Sequence, residues 1–137
     1  MQPPAEDLAY DNTIHAVLGI EPIEVTSDRV VLEMPVGPKV HQPMGLLHGG
    51  ASAVLAESAA SMGAFMNCRP GVEYAVGVDL NVTHLRPQRS GRVRATATPV
   101  RKGRTVHVWT IEITNEEQKA VAVGRCTLAV RQFEQGS

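Results

Sequence analysis

Cysteine is scarce in this 137-residue sequence: Cys68 and Cys126 are the whole complement. Two thiols make no disulfide framework and show no metal-binding spacing, so each reads as a buried small apolar residue in a reducing compartment. Aromatic residues are also few, with one Trp, two Tyr and two Phe. A nucleic acid would find only Trp109 to stack on in the basic stretch, and no known binding motif accompanies it. The start, MQPPAEDLAYDN, lacks the charged region and apolar core of a signal peptide, so the expected location is cytoplasmic. HExxH is absent, and His15, His41 and His107 have no partner at ligand spacing, which argues against a metal site. Acids are missing altogether from Leu80 to Ile111, where Arg86, Arg89, Arg92, Arg94, Arg101, Lys102 and Arg104 fall. Residues 1–79 hold ten acids against Arg29, Lys39 and Arg69, so a chain of net charge −1 still carries an anion-attracting patch.

The residues that are present centre on Gln42 to Cys68, QPMGLLHGGASAVLAESAASMGAFMNC. A turn at Gln42-Pro43-Met44-Gly45 runs through Leu46, Leu47 and His48 into Gly49-Gly50, and a long helix follows. Small and apolar residues fall on every side of that helix, which predicts burial all round. A membrane span is excluded by content: Ser52, Glu57, Ser58, Ser61 and Gly63 make the run too polar, and no Lys or Arg flanks it.

Glu57 is the one charge inside this helix. A carboxylate in such company is costly unless it is paired, hydrogen-bonded or put to chemical use. The alternative to a catalytic role is a structural ion pair with an Arg from a neighbouring strand. At the helix start, Gly49 and Gly50 allow close approach to backbone N–H groups at the positive end of the macrodipole, where an oxyanion would be held. Gly49 and Glu57 are eight residues apart, about 12 Å along a helix. One carbonyl cannot touch both, so a shared substrate requires a second copy of the chain lying antiparallel, as in a two-fold dimer with two composite sites.

The length suits a single domain over residues 1–137, without repeats or low-complexity tracts. Helical spacing runs from Ala5 to Leu18 and stops at Gly19. Ile20 to Glu24 and Arg29 to Pro35 read as a hairpin turning at Thr26-Ser27-Asp28. After a Pro- and Gly-rich loop from Gly37 to Gly45 and the central helix, strands are predicted at Tyr74 to Leu85, Arg92 to Arg101, Thr105 to Thr114 and Ala120 to Gln132. One buried helix followed by antiparallel strands implies an α+β fold, a sheet wrapped round the helix.

The segment LHGGASAVLAES, followed by NVTHLRP, RKGRTVHVW and the closing strand, resembles the hotdog-fold acyl-CoA thioesterases over Gly19 to Val130. The similar branch holds the 4-hydroxybenzoyl-CoA, dihydroxynaphthoyl-CoA and enterobactin-pathway proofreading thioesterases. The resemblance implies a long central helix wrapped by an antiparallel sheet of five to six strands. It also implies protomers paired through their sheets, as a homodimer that associates further into a tetramer. Glu57 would be the catalytic carboxylate, as nucleophile or general base. The Gly49 N–H would polarise the thioester carbonyl, helped by Gln42 and His48, and Ser61, at i+4 from Glu57, would hold the water or the carboxylate.

By the same resemblance, Gly77 and the run His84, Leu85, Arg86, Pro87 would border the pantetheine and nucleotide path of coenzyme A. The turn Arg101, Lys102, Gly103, Arg104, Thr105, Val106 would hold its phosphates, which call for cations and N–H donors. CoA is part of the substrate and no cofactor is implied. Val36, Val40, Met44 and Phe65 are expected near the acyl pocket, which would take an aromatic or a medium-chain acyl group. Plainer readings stand beside these: His48 as a helix cap, Gln42 as a solvated loop residue, and the basic stretch as a charged sheet edge. A non-catalytic acyl-CoA-binding module and a hotdog hydratase or dehydratase are the competing functions.

Overall fold

The computed structural model describes residues 12–134. Their order is α1 (Ile14–Leu18), β1 (Glu21–Val25), β2 (Val30–Pro35), a single 3-10 turn (Pro38–Val40), α2 (Gly49–Phe65), β3 (Glu73–His84), β4 (Arg92–Lys102), β5 (Val106–Asn115) and β6 (Ala120–Gln132). The six strands form one antiparallel sheet in the order β1-β2-β4-β5-β6-β3. The expected α+β arrangement is therefore present, with each strand within a residue of its predicted bounds. The first helix is shorter than the spacing predicts. It begins at Ile14, Asn12 is already in a left-handed conformation, and the expected stretch from Ala5 to Asp11 lies outside the described residues.

Local chemistry sets the ends of these elements. Gly19 closes α1 at φ 71°, a conformation that needs no Cβ, and its N–H donates to the Ala16 carbonyl. Thr26 Oγ1 accepts from the Arg29 N–H at 2.9 Å and so folds the β1–β2 turn. Asn115 Oδ1 accepts from the N–H groups of Glu117 and Lys119, both at 3.0 Å, and turns β5 into β6.

The core lies between α2 and the sheet. Ser52, Leu55, Ala56, Ala59, Ala60, Gly63 and Ala64 recur every three or four residues and form the buried face of α2. Small residues there let the helix lie close to the strands, and Trp109 of β5 fills the space beneath it. A Cβ at Gly63 would stand 2.4 Å from the Trp109 ring. Trp109 is wholly buried, which removes the one aromatic a nucleic acid would stack on. Its Nε1–H donates to His107 Nδ1 at 3.2 Å, and burial, with Lys102 nearby, holds His107 below its ordinary pKa and so keeps that acceptor unprotonated. Val30, Leu32 and Met34 of β2 are each fully buried and each contribute about 1.5–3 kcal/mol of hydrophobic stabilisation.

The structure corrects three expectations. The central helix is not buried all round in the single chain: Gly50 and Glu57 are exposed, and Ala53, Val54, Ser58 and Ser61 are half-buried. Its composition is uniformly small and apolar, so composition does not mark which side faces the sheet, whereas burial follows a stripe. Val36 and Val40 belong to the core rather than to a pocket, and Met44 is 72% exposed. Cys126 is buried as expected, but Cys68 is only half-buried.

Strand β3 follows α2 and crosses to the far edge beside β6. Its outer edge has no strand partner among the described residues. Val76 and Val78 are 42% and 59% exposed, and the pairing with β6 shifts between Gly77 and Asp79, a bulge that leaves Val78 unmatched.

Candidate active site

Glu57 projects from the middle of α2 over the edge strand β3. A Cβ at Gly77 would stand 2.9 Å from its Oε2 and 3.0 Å from its Cδ, so the glycine leaves the room that the carboxylate occupies. Among the described residues Glu57 makes no ion pair, and the structural Arg partner considered from the sequence is absent. The carboxylate opens into a cavity of about 420 Å³ whose walls include Val54, Ser58, Ser61, Met62 and Leu80. Close by, burial pushes the Cys126 thiol up to about 12, with the Glu57 and Asp79 carboxylates adding to the shift, so it is an inert apolar group.

The start of α2 is shared between two cavities, with Gly50 lining the one that holds Glu57 and Gly49 lining another. His48 Nδ1 accepts from the Gly50 N–H at 2.7 Å, which makes His48 the helix N-cap and leaves Nε2–H as a donor on an exposed ring. Among the described residues nothing accepts from the Gly49 N–H, one of the orphan donors of the first turn. Gln42 Oε1 accepts from the Met44 and Leu46 N–H groups of its own loop. With its acceptor end held there, the Gln42 amide has N–H groups to offer elsewhere. A Cβ at Gly49 would stand 2.7 Å from His84 Nε2, so the end of β3 abuts the helix start. Gln42, Gly49, His84, Leu85, Arg86 and Pro87 share a cavity of about 360 Å³.

The expected site residues therefore fall into two groups in one chain. Gln42, His48, Gly49 and residues 84–87 gather at the helix start; Glu57, Ser61 and Gly77 gather half-way along. The hairpin at residues 101–106 belongs with the second group, because Gly77 pairs with Leu128, Leu128 with His107, and His107 with Lys102. From Ala122, opposite His84, to Ala129, opposite Val106, β6 runs seven residues, about 23 Å. Within the hairpin the Gly103 N–H donates to the Val106 carbonyl, and the Thr105 carbonyl accepts from the Val130 N–H.

Cations of the basic stretch divide in the same way. Lys102 pairs with Asp28 of the β1–β2 turn rather than standing free for a phosphate. Arg92 and Arg94 are held by Glu33, and Arg92 also reaches Glu21. Arg86, Arg101 and Arg104 are exposed and make no ion pair among the described residues.

Two residues in the Glu57 cavity carry no signal in the sequence. His15, from α1, places Nε2 2.7 Å from Ser58 Oγ, and both line the cavity. They are 43 residues apart in the chain, and only the docking of α1 on α2 brings them together. Among the described residues no cluster of three or more His, Cys, Asp or Glu could hold a metal ion. No helix among them is long and apolar enough to cross a membrane.

Residues 44–122 match the thioesterase superfamily. The match takes in the helix start, all of α2, β3 and most of the sheet. This chain belongs to the thioesterase superfamily. A 1,4-dihydroxy-2-naphthoyl-CoA hydrolase of Listeria monocytogenes is 42% identical over 118 residues, covering 86% of this chain and 95% of that one. The crystal structure of a thioesterase from Haemophilus influenzae superposes with a TM-score of 0.88 at 39% identity, over 98% of this chain and 95% of that chain. A mutant thioesterase from Pseudomonas aeruginosa gives 0.88 at 40% identity, over 97% of each. The helix laid on a six-stranded antiparallel sheet is thus the hotdog fold, and the thioesterase is a hydrolase.

Proposed function

We propose that this thioesterase hydrolyses acyl-CoA thioesters with aromatic or medium-chain acyl groups, at two composite sites of a two-fold dimer. The observation that carries the reading is the separation of Glu57 and Gly49 into two cavities of one chain. Each is half of a catalytic apparatus. An antiparallel partner, joined through the open β3 edge, brings Glu57 of one protomer to the helix start of the other. The hydrolase of Listeria, whose name carries an aromatic acyl-CoA, supports the aromatic choice. Two such dimers associate into a tetramer, and coenzyme A enters as part of the substrate.

In this arrangement the thioester oxygen accepts from the Gly49 N–H, with the Gln42 amide and His48 Nε2–H adding donors. These donors stabilise the charge that develops on oxygen as the carbonyl carbon is attacked. Glu57 either attacks that carbon, forming a mixed anhydride that water then opens, or takes a proton from the attacking water. In both routes the C–S bond breaks and CoA leaves as the thiolate. Ser61, one turn on from Glu57, holds the water or the carboxylate. Arg101 and Arg104 meet the nucleotide phosphates from the hairpin, and Arg86 meets them from the end of β3.

Glu57→Gln is expected to lower acyl-CoA hydrolysis, followed with a thiol-reporting dye, by at least about a hundredfold. Its thermal midpoint should not move, because Glu57 is exposed and makes no ion pair among the described residues. Retained turnover in this variant would remove Glu57 from the mechanism. A single turnover in oxygen-18 water separates the routes: label in the Glu57 carboxylate marks the anhydride, and its absence marks the general base.

A further inference from the structure

The β1–β2 turn is a fixed post beside the β4–β5 hairpin. Thr26 Oγ1 accepts from the N–H groups of Asp28 and Arg29, at 3.3 and 2.9 Å, and so shapes the turn from within. From the end of α2, the Asn67 amide donates to the Ser27 carbonyl and to the Gly63 carbonyl of its own helix, both at 2.8 Å, which ties the turn to the helix. Asp28 stands on this post, and its carboxylate meets Lys102 at the root of the hairpin. We propose that Asp28 and Lys102 form a clip that fixes the hairpin at residues 101–106 for the nucleotide end of coenzyme A. Lys102 thus positions the phosphate site rather than joining it, a role that rests on the reading that this hairpin meets the phosphates.

Strand geometry separates Lys102 from the free cations. The pairing of β4 with β5 shifts between Pro99 and Arg101, a bulge that leaves Val100 unmatched and sets Lys102 opposite His107. Residues paired across an antiparallel sheet share a face, and His107 is buried beside Trp109 on the face that α2 covers. Lys102 therefore leaves the sheet on the α2 side, toward the β1–β2 turn. Arg101, its neighbour along the strand, faces the other way, and its Nε lies 3.2 Å from where a Cβ of Gly103 would stand. Arg101 and Arg104 make no ion pair among the described residues, so they are left for an anion. The hairpin also needs a tether on this side. Pairing of β2 with β4 ends at Val30 opposite Ala97, and from Thr98 onward β4 is laddered to β5 alone. The Asp28–Lys102 pair closes that open side. A hairpin left loose has to be ordered when the nucleotide binds, which weakens binding. Both side chains of the pair meet water, so the effect on KM is modest, roughly threefold.

Steady-state kinetics on benzoyl- and octanoyl-CoA, and on the matching pantetheine esters that lack the nucleotide, test the clip. Asp28→Ala and Lys102→Gln are each expected to raise KM for the CoA esters by roughly threefold, with kcat unchanged and the pantetheine esters unaffected. The double variant should be no worse than either single one, because both remove the same contact. Exchange of the charges, Asp28→Lys together with Lys102→Asp, should restore part of the affinity. If instead Asp28→Ala lowers KM while Lys102→Gln raises it, Lys102 is a phosphate ligand restrained by Asp28, and the clip is overturned. It is equally overturned if neither variant moves KM, or if CoA and pantetheine esters suffer alike, as a general loosening of the fold would cause. Arg104→Ala keeps the clip distinguishable from the reading beneath it. If that variant weakens CoA esters selectively while the Asp28 and Lys102 variants do not, the clip alone falls. If Arg104→Ala and Arg101→Ala both leave the CoA and pantetheine esters in their original ratio, the hairpin holds no phosphate and the clip falls with it. If the unaltered protein hydrolyses neither CoA ester, the catalytic reading falls and takes the clip with it.

Discussion

Gly77 shows how closely a backbone position and a side chain depend on each other here. The space that a Cβ would take at Gly77 is already held by the Glu57 carboxylate, a flexible group at the end of two methylenes. Gly77→Ala should therefore fold normally, since the carboxylate can swing aside. The swing costs catalysis, because a reacting group displaced by about 1 Å loses on the order of a hundredfold. Steady-state kinetics should show the loss in kcat with little change in KM, and an unchanged kcat would mean that the carboxylate works from elsewhere. His48 and Gln42 were open to bland readings, and each now has a structural role, since one caps α2 and the other ties its own loop. Those roles do not exhaust them, because in each case the bond made to the protein leaves a donor on the other side.

The central helix is held by contacts that its small residues make possible. Gly63 meets the rigid Trp109 ring in the core, and neither the helix backbone nor the indole has room to retreat. Gly63→Ala is expected to destabilise the fold by about 1–3 kcal/mol in urea unfolding, in contrast to Gly77→Ala. Across the sheet, Glu33 of β2 joins β4 through Arg94 and Arg92. Its hydrogen bond with Arg94, and then that with Arg92, holds the carboxyl below its usual value of 4.5. A folded-state pKa below the unfolded one adds stability above the unfolded value and loses it as pH falls through the folded value. The unaltered protein should thus exceed Glu33→Gln in urea midpoint at neutral pH, by no more than about 1 kcal/mol, and the gap should close below about pH 4. A gap that widens in acid would show that Glu33 acts by some other route.

For the assembled molecule, the separation of Glu57 from Gly49 makes a prediction that no single chain satisfies. Glu57→Gln and Gly49→Val subunits should each form nearly inactive dimers. Mixed and reassociated in equal amounts, half of the dimers carry both variants, and each of these has one intact site. Activity should then return to about a quarter of the unaltered level, as two-fold symmetry requires. No recovery, with mixed dimers shown to be present, would place both residues in one chain's site.

Much of the fold was legible because the patterns that set it are local. Alternation in Val30, Leu32 and Met34 and turn formers such as Gly103 and Asn115 placed every strand to within a residue. A spacing of eight residues from Gly49 to Glu57 was enough to require two chains for a shared carbonyl, since helical rise is fixed by the backbone. Burial of α2 was misjudged because a helix of Ala, Gly and Ser offers no amphipathic contrast, and only the sheet decides which stripe it covers. Lys102 and the His15–Ser58 pair were beyond reach for a related reason. Their partners lie 74 and 43 residues away, and such meetings are made by the packing of whole elements rather than by any short-range pattern.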